Sequence, residues 1–296
     1  MLEFREIELG DRERINSALK ASDRRGCEYS FANNMAWRRL AGSRIAFYKD
    51  FYICCAFETE DGVPQYILPA GSGDIREVIG EMSRYSASLG KPLVVRGVTE
   101  EMLTVLDELF PGGFTAQADR GNADYIYASA DLIALPGRKY HAKRNHLARF
   151  MEQEHEFSLI TEKDFDDCLT FAVETYNSRN STDQHSFVAE QFAINTFFTY
   201  FNELGLTGGV IRSGGKVRAV TIGERLNSDT FCVHIEKADT SVNGIYAGIN
   251  NLFASAAAAD MKYINREEDM DIEGLRKAKL SYHPAFLLNK YTVTFR

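Results

Sequence analysis

Hydrophobic and polar residues follow one another along this chain with two spacings, one typical of helices and one typical of strands. Apolar residues at 75, 78, 79 and 82 have the spacing of one helix face, and Asp74 precedes them as a candidate N-cap. Short apolar runs bounded by turn residues indicate strands. In the first half the pattern predicts strands at residues 4–9, 44–49, 51–57, 65–68, 92–96 and 125–128, and helices at residues 11–21, 29–40, 74–89 and 99–110, the last capped by Thr99.

The second half of the chain repeats this order of elements. A Phe-x-x-Ile pair precedes an aspartate by the same spacing at residues 4–11 and 157–164. The pattern predicts further strands at residues 157–160, 207–211, 217–225, 230–235, 262–264 and 288–295, and helices at residues 164–176, 187–204, 244–260 and 273–281. We therefore expect an α/β protein with two similar domains, residues 1–137 and 157–296, joined by a basic helix at residues 138–156.

The element order of the second half resembles that of the GNAT acyltransferase fold. It runs strand, two helices, hairpin, strand, helix, strand, helix, strand. The resemblance implies tandem GNAT-like folds, in which mixed sheets are flanked by helices and the central strands splay to admit an acyl donor. Element order supports the fold more strongly than it supports a function.

Composition and charge exclude several classes of protein. The formal net charge of −8 over 296 residues argues against a broad nucleic-acid-binding surface. The five cysteines form no C-x-x-C pair and the histidines have no metal-ligand spacing, so we expect reduced thiols and no metal. We see neither a signal peptide nor an apolar run of about 20 residues. The sequence predicts a cytoplasmic protein, with a position at the membrane surface as the alternative.

A basic run at residues 138–149 reverses the charge of the chain locally. It carries five lysines and arginines and no acid. A polyanion such as an RNA backbone or a lipid phosphate would relieve the repulsion among these cations. We expect Lys143 and Arg144 to bind donor phosphates, and Asn145 beside them is a further substrate-binding candidate. The alternative is a solvated linker helix.

A second candidate site lies on the predicted strand that contains His234 and Glu236. Strand alternation predicts that these two side chains share one face, opposite Val233 and Ile235. Glu236 is a candidate general base, and the neighbouring Lys237 is a candidate substrate-binding residue. An exposed, non-catalytic Glu236 is the alternative.

Two glycines, Gly244 and Gly248, open the helix that follows this strand. They permit close approach to its N-terminus, where free N–H groups favour a phosphate or an oxyanion. We list them as cofactor-binding candidates. They do not form the Q/R-x-x-G-x-G/A loop of CoA-dependent GNAT enzymes, which argues against acetyl-CoA.

The third candidate site is the segment N-R-E-E-D-M-D-I-E-G-L-R-K-A-K-L-S-Y-H-P at residues 265–284. Crowded carboxylates raise one another's pKa and can supply a general base near neutral pH. Glu267 and Asp269 are the candidates for this role. The substrate-binding candidates are Asn265, Arg266, Arg276, Lys279 and Tyr282. A structural network of ion pairs is the alternative.

Several of these runs together are similar to a bacterial family related to the C-terminal domain of phosphatidylglycerol lysyltransferases. They are D-Y-I-Y at residues 124–127, G-R-K-Y-H-A-K-R-N-H at residues 137–146, E-K-A at residues 236–238, and the segment at residues 265–284. Relatives include the FemX-like peptidoglycan aminoacyltransferases, which have tandem GNAT-like domains. The resemblance implies transfer of an aminoacyl group from aminoacyl-tRNA, with the basic helix contacting the tRNA.

The leading hypothesis is therefore an acyl- or aminoacyltransferase without a bound cofactor. Its acceptor would be an amine or hydroxyl of a small molecule or a lipid headgroup. A CoA-dependent N-acyltransferase of small molecules and a non-catalytic module that binds a phosphorylated ligand remain the alternatives.

Overall fold

The computed structural model describes residues 2–177 and 184–296, which form two compact units. The first unit comprises Met1–Asp124, Glu268–Asp271 and Leu288–Arg296. The second comprises Tyr125–Glu267 and Ile272–Leu287, so it includes the basic segment that the sequence placed between the domains.

In the first unit a mixed sheet has the strand order β1-β2-β3-β4-β11. Its pairs are antiparallel except for β3 and β4, which are parallel and joined by helix α3. Its elements are α1 (Arg12–Ser22), α2 (Phe31–Trp37), β1 (Ser43–Tyr48), β2 (Phe51–Ala56), β3 (Gln65–Ile67), α3 (Ile75–Ser88), β4 (Val94–Thr99), α4 (Glu100–Leu109), the first part of β5 (Phe114–Ala128) and most of β11 (Phe286–Phe295).

The apolar face of α3 packs on this sheet as its spacing predicts. Val78, Ile79 and Met82 are buried in one cluster with residues of β2 and β4. Burial of each such side chain contributes about 1.5–3 kcal/mol of transfer free energy. The side chains of Asp74 and Thr99 accept hydrogen bonds from the first turns of α3 and α4, which confirms both predicted caps.

The second unit has the strand order β5-β10-β9-β8-β7-β6. Here β9 and β10 are the parallel pair, joined by α10, and the other pairs are antiparallel. The elements are α5 (Ser129–Ala134), α6 (His141–Met151), β6 (Glu156–Leu159), α7 (Phe165–Asn177), α8 (Gln184–Thr199), α9 (Phe201–Leu204), β7 (Thr207–Ser213), β8 (Lys216–Arg225), β9 (Thr230–Ala238), α10 (Ile245–Ala257), β10 (Tyr263–Asn265) and α11 (Glu273–Leu280).

The short strand β10 ends well before its parallel partner β9. All three residues of β10 pair with β9, the last pair being Asn265 and Cys232, whereas β9 continues to Ala238. Arg266 follows β10 directly, and Glu236 lies on the part of β9 that extends past this pairing.

One predicted strand does not form, and three other elements have different bounds: β5 begins at Phe114, the basic helix is limited to His141–Met151, and the helix predicted at residues 187–204 is divided into α8 and α9. Residues 4–9 were expected to form a strand, but only Arg5 makes a bridge, to Ile45, and a 3₁₀ turn begins at Leu9. A strand needs a continuous partner, and its alternating pattern alone does not supply one. Among the described residues no helix is long and apolar enough to cross a membrane.

Candidate active site

Glu236 of β9 and Arg266, the residue that follows β10, form a buried ion pair. Glu236 Oε1 lies 2.9 Å from Arg266 Nη2, and the two side chains are 12% and 13% exposed. Burial by itself lowers the pKa of Arg266. The charge of Glu236 and the surrounding tyrosines outweigh this effect and raise the pKa overall. The pair lies in a place with little water, where either charge would be costly without the other.

Aromatic rings position the Arg266 guanidinium. It lies 5.1 Å from the ring centroid of Tyr282 and 5.8 Å from that of Tyr127. The Tyr127 hydroxyl donates to the carbonyl of Lys279 at 2.8 Å, and Lys279 Nζ donates to the carbonyl of Arg266 at 2.7 Å. Burial raises the pKa of Tyr282 to about 12, so this tyrosine stays neutral. These contacts fix the loop that carries Arg266.

Lys143 reaches the same site from helix α6. Its Nζ lies 3.8 Å from the ring centroid of Tyr282, the ring that also faces Arg266. Burial first, and then the positive charge of Arg266, lower the pKa of Lys143 to about 8, although Glu236 acts in the opposite direction. A neutral amine is therefore available near physiological pH, as a general base requires.

Two buried polar atoms in this site have no hydrogen-bond partner among the described residues. They are Arg266 Nη1, a donor, and Asn250 Oδ1, an acceptor. Asn250 lies on α10, is 5% exposed, and directs its Nδ2 at Glu236 Oε2 at 3.5 Å. Buried polar atoms without partners are rare because each costs about 1–3 kcal/mol, so a polar ligand that satisfies both is expected here.

A β-bulge decides which face of β9 carries Glu236. Ile222 pairs with Ile235 but Gly223 pairs with Val233, so His234 is an extra residue in β9. His234 stacks on Phe197 of α8, whereas Glu236 reaches Asn250 of α10. The expectation that His234 and Glu236 share a face is therefore wrong, because a bulge interrupts the alternation of side chains.

His234 belongs to a second polar cluster, on the α8 side of β9. Its Nδ1 lies 2.8 Å from Glu267 Oε1 and its Nε2 lies 3.0 Å from Glu224 Oε1. Cys232 Sγ is 3.8 Å from Nδ1 and 3.9 Å from Glu267 Oε1. Burial lowers the pKa of His234, but Cys232 and the two carboxylates together raise it well above its ordinary value. Glu267 is thus engaged with His234.

The close approach permitted by Gly244 and Gly248 is made by helix α6. A Cβ at Gly244 would lie 2.2 Å from the carbonyl oxygen of His146, and one at Gly248 would lie 2.3 Å from the ring of Phe150. The φ of Gly244 is +77°, which other residues rarely adopt. The space expected for an acyl-donor phosphate at these glycines is thus filled by α6.

The remaining candidate residues of the second unit mostly have structural partners. The Arg144 guanidinium donates to the carbonyls of Leu135 and Gly137, so it fastens the turn before α6. Lys237 pairs with Glu190 of α8. Asn145 is exposed and contacts His141.

Asn265 is fully buried, and its Oδ1 accepts from the Glu267 N–H at 2.7 Å. Arg276 lies on α11 and is half-buried.

The acidic segment that the sequence singles out is divided between the two units. Asp269 belongs to the first unit, where it is fully buried and lies 3.1 Å from Arg120. Glu268 also belongs there and contacts Cys27. In the first unit Lys290 Nζ lies 2.7 Å from both Glu28 and Asp124. These contacts have the form of the structural ion-pair network that was the alternative reading of the segment.

Sequence reasoning missed Asn250 and the role of the rings around Arg266. A signal for Asn250 exists, because the pair Asn250-Asn251 interrupts the otherwise apolar helix at residues 245–254. Tyr127 and Tyr282 both lie in the runs that carry the family resemblance.

A separate cavity of about 750 Å³ lies between α7 and the β7–β8 hairpin. Two of its cations are already paired: Arg212 with Asp164 and Asp167, and Arg218 with Asp239. We assign no role to this cavity.

The fold is similar to that of GNAT-family proteins. An acetyltransferase of the GNAT family from Colwellia psychrerythraea superposes with a TM-score of 0.54 at 12% identity, covering 100% of this chain and 98% of that chain. The expected mixed sheets flanked by helices and the GNAT-like fold are thereby confirmed.

The chain belongs to the family described as phosphatidylglycerol lysyltransferase, C-terminal, whose model matches residues 19–294. A conserved protein of unknown function from Bacteroides thetaiotaomicron is 38% identical over 100% of both chains, with a TM-score of 0.94. L-PGS from Bacillus licheniformis is 13% identical, covers 97% of this chain and 92% of its own, and has a TM-score of 0.68. No curated protein matches the chain. Family and fold support an acyl- or aminoacyltransferase type of function.

Proposed function

We propose that this protein transfers an aminoacyl group from aminoacyl-tRNA to an amine or hydroxyl acceptor, at the site formed by Glu236, Arg266 and Lys143. The observation that carries the proposal is the buried ion pair beside a lysine of lowered pKa, with a donor and an acceptor that have no partner in the described parts of the chain. The family description names a lysyltransferase, which supports an aminoacyl donor.

The charges suit an aminoacyl ester. Its α-ammonium would donate to Glu236 and to Asn250 Oδ1, the acceptor that lacks a partner. Its carbonyl oxygen would accept from Arg266 Nη1, and the same contact would stabilise the oxyanion that forms on attack. Acetyl and other simple acyl groups have no ammonium to satisfy Glu236 and Asn250. This difference favours an aminoacyl group as the substrate.

Lys143 is the proposed general base. In its neutral form it would take the proton of the acceptor hydroxyl, or of the acceptor's neutral amine, as the new bond to the carbonyl carbon forms. The ester bond to the ribose oxygen then breaks, and the proton passes to that oxygen. We prefer Lys143 to the carboxylates predicted from sequence because Glu236 is held by Arg266 and Glu267 by His234, while Asp269 is held by Arg120.

The donor tRNA would lie along the outer surface of the basic segment. Arg138, Lys139 and Arg149 are exposed, whereas Lys143 and Arg144 face inward. We therefore assign phosphate contacts to the three exposed residues, and not to Lys143 and Arg144 as the sequence indicated. Each phosphate contact contributes to a binding affinity that falls with salt concentration.

A CoA donor is less well supported than aminoacyl-tRNA. The N-terminus of α10, where free N–H groups would meet a pyrophosphate, is covered by α6 at Gly244 and Gly248.

The test is a transfer assay with purified protein. tRNA charged with radiolabelled lysine, and tRNAs charged with each other amino acid, are supplied with phosphatidylglycerol vesicles or with small amines. We expect label in one acceptor fraction, and none from labelled acetyl-CoA. Lys143→Met should reduce transfer by about a hundredfold or more, the size of a general-base contribution.

Lys277→Met is the matched control, because Lys277 is exposed on α11 and lies outside the proposed site. It should transfer at the wild-type rate. Absence of transfer from every charged tRNA, or equal rates for Lys143→Met and the wild type, contradicts the proposal.

A further inference from the structure

We propose that Cys232, His234 and Glu267 bind a zinc ion on the α8 side of β9. The three residues offer a thiolate sulfur, an imidazole nitrogen and a carboxylate oxygen, and these atoms lie within 4.8 Å of one another. Cysteine, histidine and glutamate are all ordinary zinc ligands. The site lies on the opposite side of β9 from the Glu236–Arg266 pair and does not depend on the proposed transferase function.

The spacing of the three atoms fits one tetrahedral ion. With metal–ligand bonds of about 2.0–2.3 Å, neighbouring ligand atoms in a tetrahedron lie about 3.3–3.7 Å apart. The sulfur is 3.8 Å from His234 Nδ1 and 3.9 Å from Glu267 Oε1, which is close to this range. Nδ1 and Oε1 are 2.8 Å apart and would move apart by about half an ångström.

Glu224 supplies the outer partner that a zinc-bound histidine requires. Its Oε1 lies 3.0 Å from Nε2, the ring nitrogen that faces away from Cys232 and Glu267. A carboxylate in this position fixes the ring orientation and raises the basicity of the ligating nitrogen. Phe197 stacks on the ring with centroids 5.5 Å apart and planes 10° apart, which holds it further.

Zinc binds the thiolate form of a cysteine and an unprotonated ring nitrogen of a histidine, so any proton held on Cys232 Sγ or His234 Nδ1 would be released to solvent on binding.

A comparable cluster in the first unit already has the ammonium of a lysine beside it. Cys27, Asp124 and Glu268 also offer three ligand atoms within 4.8 Å. There the ammonium of Lys290 lies 2.7 Å from Asp124 and 3.6 Å from Cys27 Sγ. A lysine thus supplies a positive charge at Cys27. We therefore assign zinc to the Cys232 cluster alone.

Zinc in this position would fix the residue beside the proposed catalytic arginine. Glu267 follows Arg266 in the chain and is the ligand that reaches the cluster from outside β9. Its side chain is 19% exposed, compared with 0% for His234, so an ion can enter from the Glu267 side. His234, Glu224 and the metal would together hold the end of β10 against β9.

The experiment uses the full chain. Metal is removed with a chelator, Zn²⁺ is added back, and bound zinc is measured after dialysis. We expect one zinc per chain. In a second experiment Co²⁺ replaces zinc, and we expect a sulfur-to-cobalt charge-transfer band in the near ultraviolet with the intense visible bands of a four-coordinate ion.

Two serine substitutions separate this site from the other cluster. Cys232→Ser should lose the sulfur band and bind zinc at least tenfold more weakly, as expected for loss of a ligand. Cys27→Ser, at the buried cysteine of the other cluster, should keep both the band and the stoichiometry. If the wild type binds no stoichiometric zinc, if its cobalt spectrum lacks the sulfur band, or if Cys27→Ser is the variant that loses it, the proposal is wrong. The wild-type spectrum decides even if Cys232→Ser fails to fold.

Discussion

The lowered pKa of Lys143 predicts that replacing this lysine stabilises the protein in a pH-dependent way. In the unfolded chain a lysine has a pKa near 10.5, and in the folded protein the pKa of Lys143 is about 8. The folded state therefore binds the proton less tightly than the unfolded state does. The resulting loss of stability is fully present below pH 8 and disappears as the pH rises through 10.5.

The magnitude follows from the size of the shift. For a fully buried group, a pKa lowering of this size corresponds to about 3 kcal/mol. Since Lys143 is only half-buried and solvent screens part of the effect, we expect about 1–2 kcal/mol. Methionine keeps most of the aliphatic packing without the charge. The free energy of unfolding of Lys143→Met, relative to wild type, should thus be about 1–2 kcal/mol larger at pH 7 than at pH 10, so the variant's advantage in stability is greater at pH 7.

Urea unfolding of both proteins at the two pH values measures this difference. Other groups titrate over the same range, but their effects cancel in the comparison of variant with wild type. Lys277→Met is the control, and its relative stability should not change between pH 7 and pH 10. If the relative stability of Lys143→Met is the same at both pH values, the lysine is not desolvated and its assignment as the general base loses its physical basis.

Three further predictions follow from single contacts. Gly244→Ala should destabilise the protein by about 2–4 kcal/mol in chemical unfolding, because the added Cβ, at φ +77°, would meet a backbone oxygen of α6. The control Gly274→Ala has open space on α11 and should be neutral or stabilising by up to about 1 kcal/mol. Equal effects of the two substitutions would contradict the close packing of α6. Glu236→Leu should lower the free energy of unfolding by about 3–5 kcal/mol, because Arg266 loses the carboxylate with which it pairs. Adding Arg266→Met should restore most of the stability but no transfer activity, and additive losses would show that the pair is not coupled. Lys290→Met should lower the free energy of unfolding by about 3–5 kcal/mol at pH 7, because Glu28 and Asp124 lose the ammonium that they share. The loss should be smaller at pH 5, since burial raises the pKa of Glu28. An unchanged melting temperature would show that the ammonium is not required.

Local patterns were sufficient for most elements of the fold. The helix at Ile75–Ser88 and its Asp74 cap follow from spacing and cap chemistry that involve only neighbouring residues. The hairpin of β7 and β8 follows in the same way from its glycine turn. The predicted strand at residues 4–9 failed because strand formation also needs a partner elsewhere in the chain.

The candidate site was predicted in its members but not in its grouping. Lys143, Glu236, Arg266 and Tyr282 were all named from sequence, and the structure brings them together. Asp269, which seemed to belong with them because it lies three residues after Arg266, is buried in the first unit. Adjacency in sequence does not determine which core a side chain enters.

The sequence by itself determined the alternation of helices and strands, the basic segment, and the family runs, because each depends on residue type and short-range spacing. Only the tertiary structure decided which charges meet. One extra residue in β9, His234, turns Glu236 to the face of Arg266 and leaves His234 on the other face with Glu267. Side-chain alternation holds only while the pairing between strands is unbroken, and that pairing depends on a neighbouring strand that the local sequence does not specify.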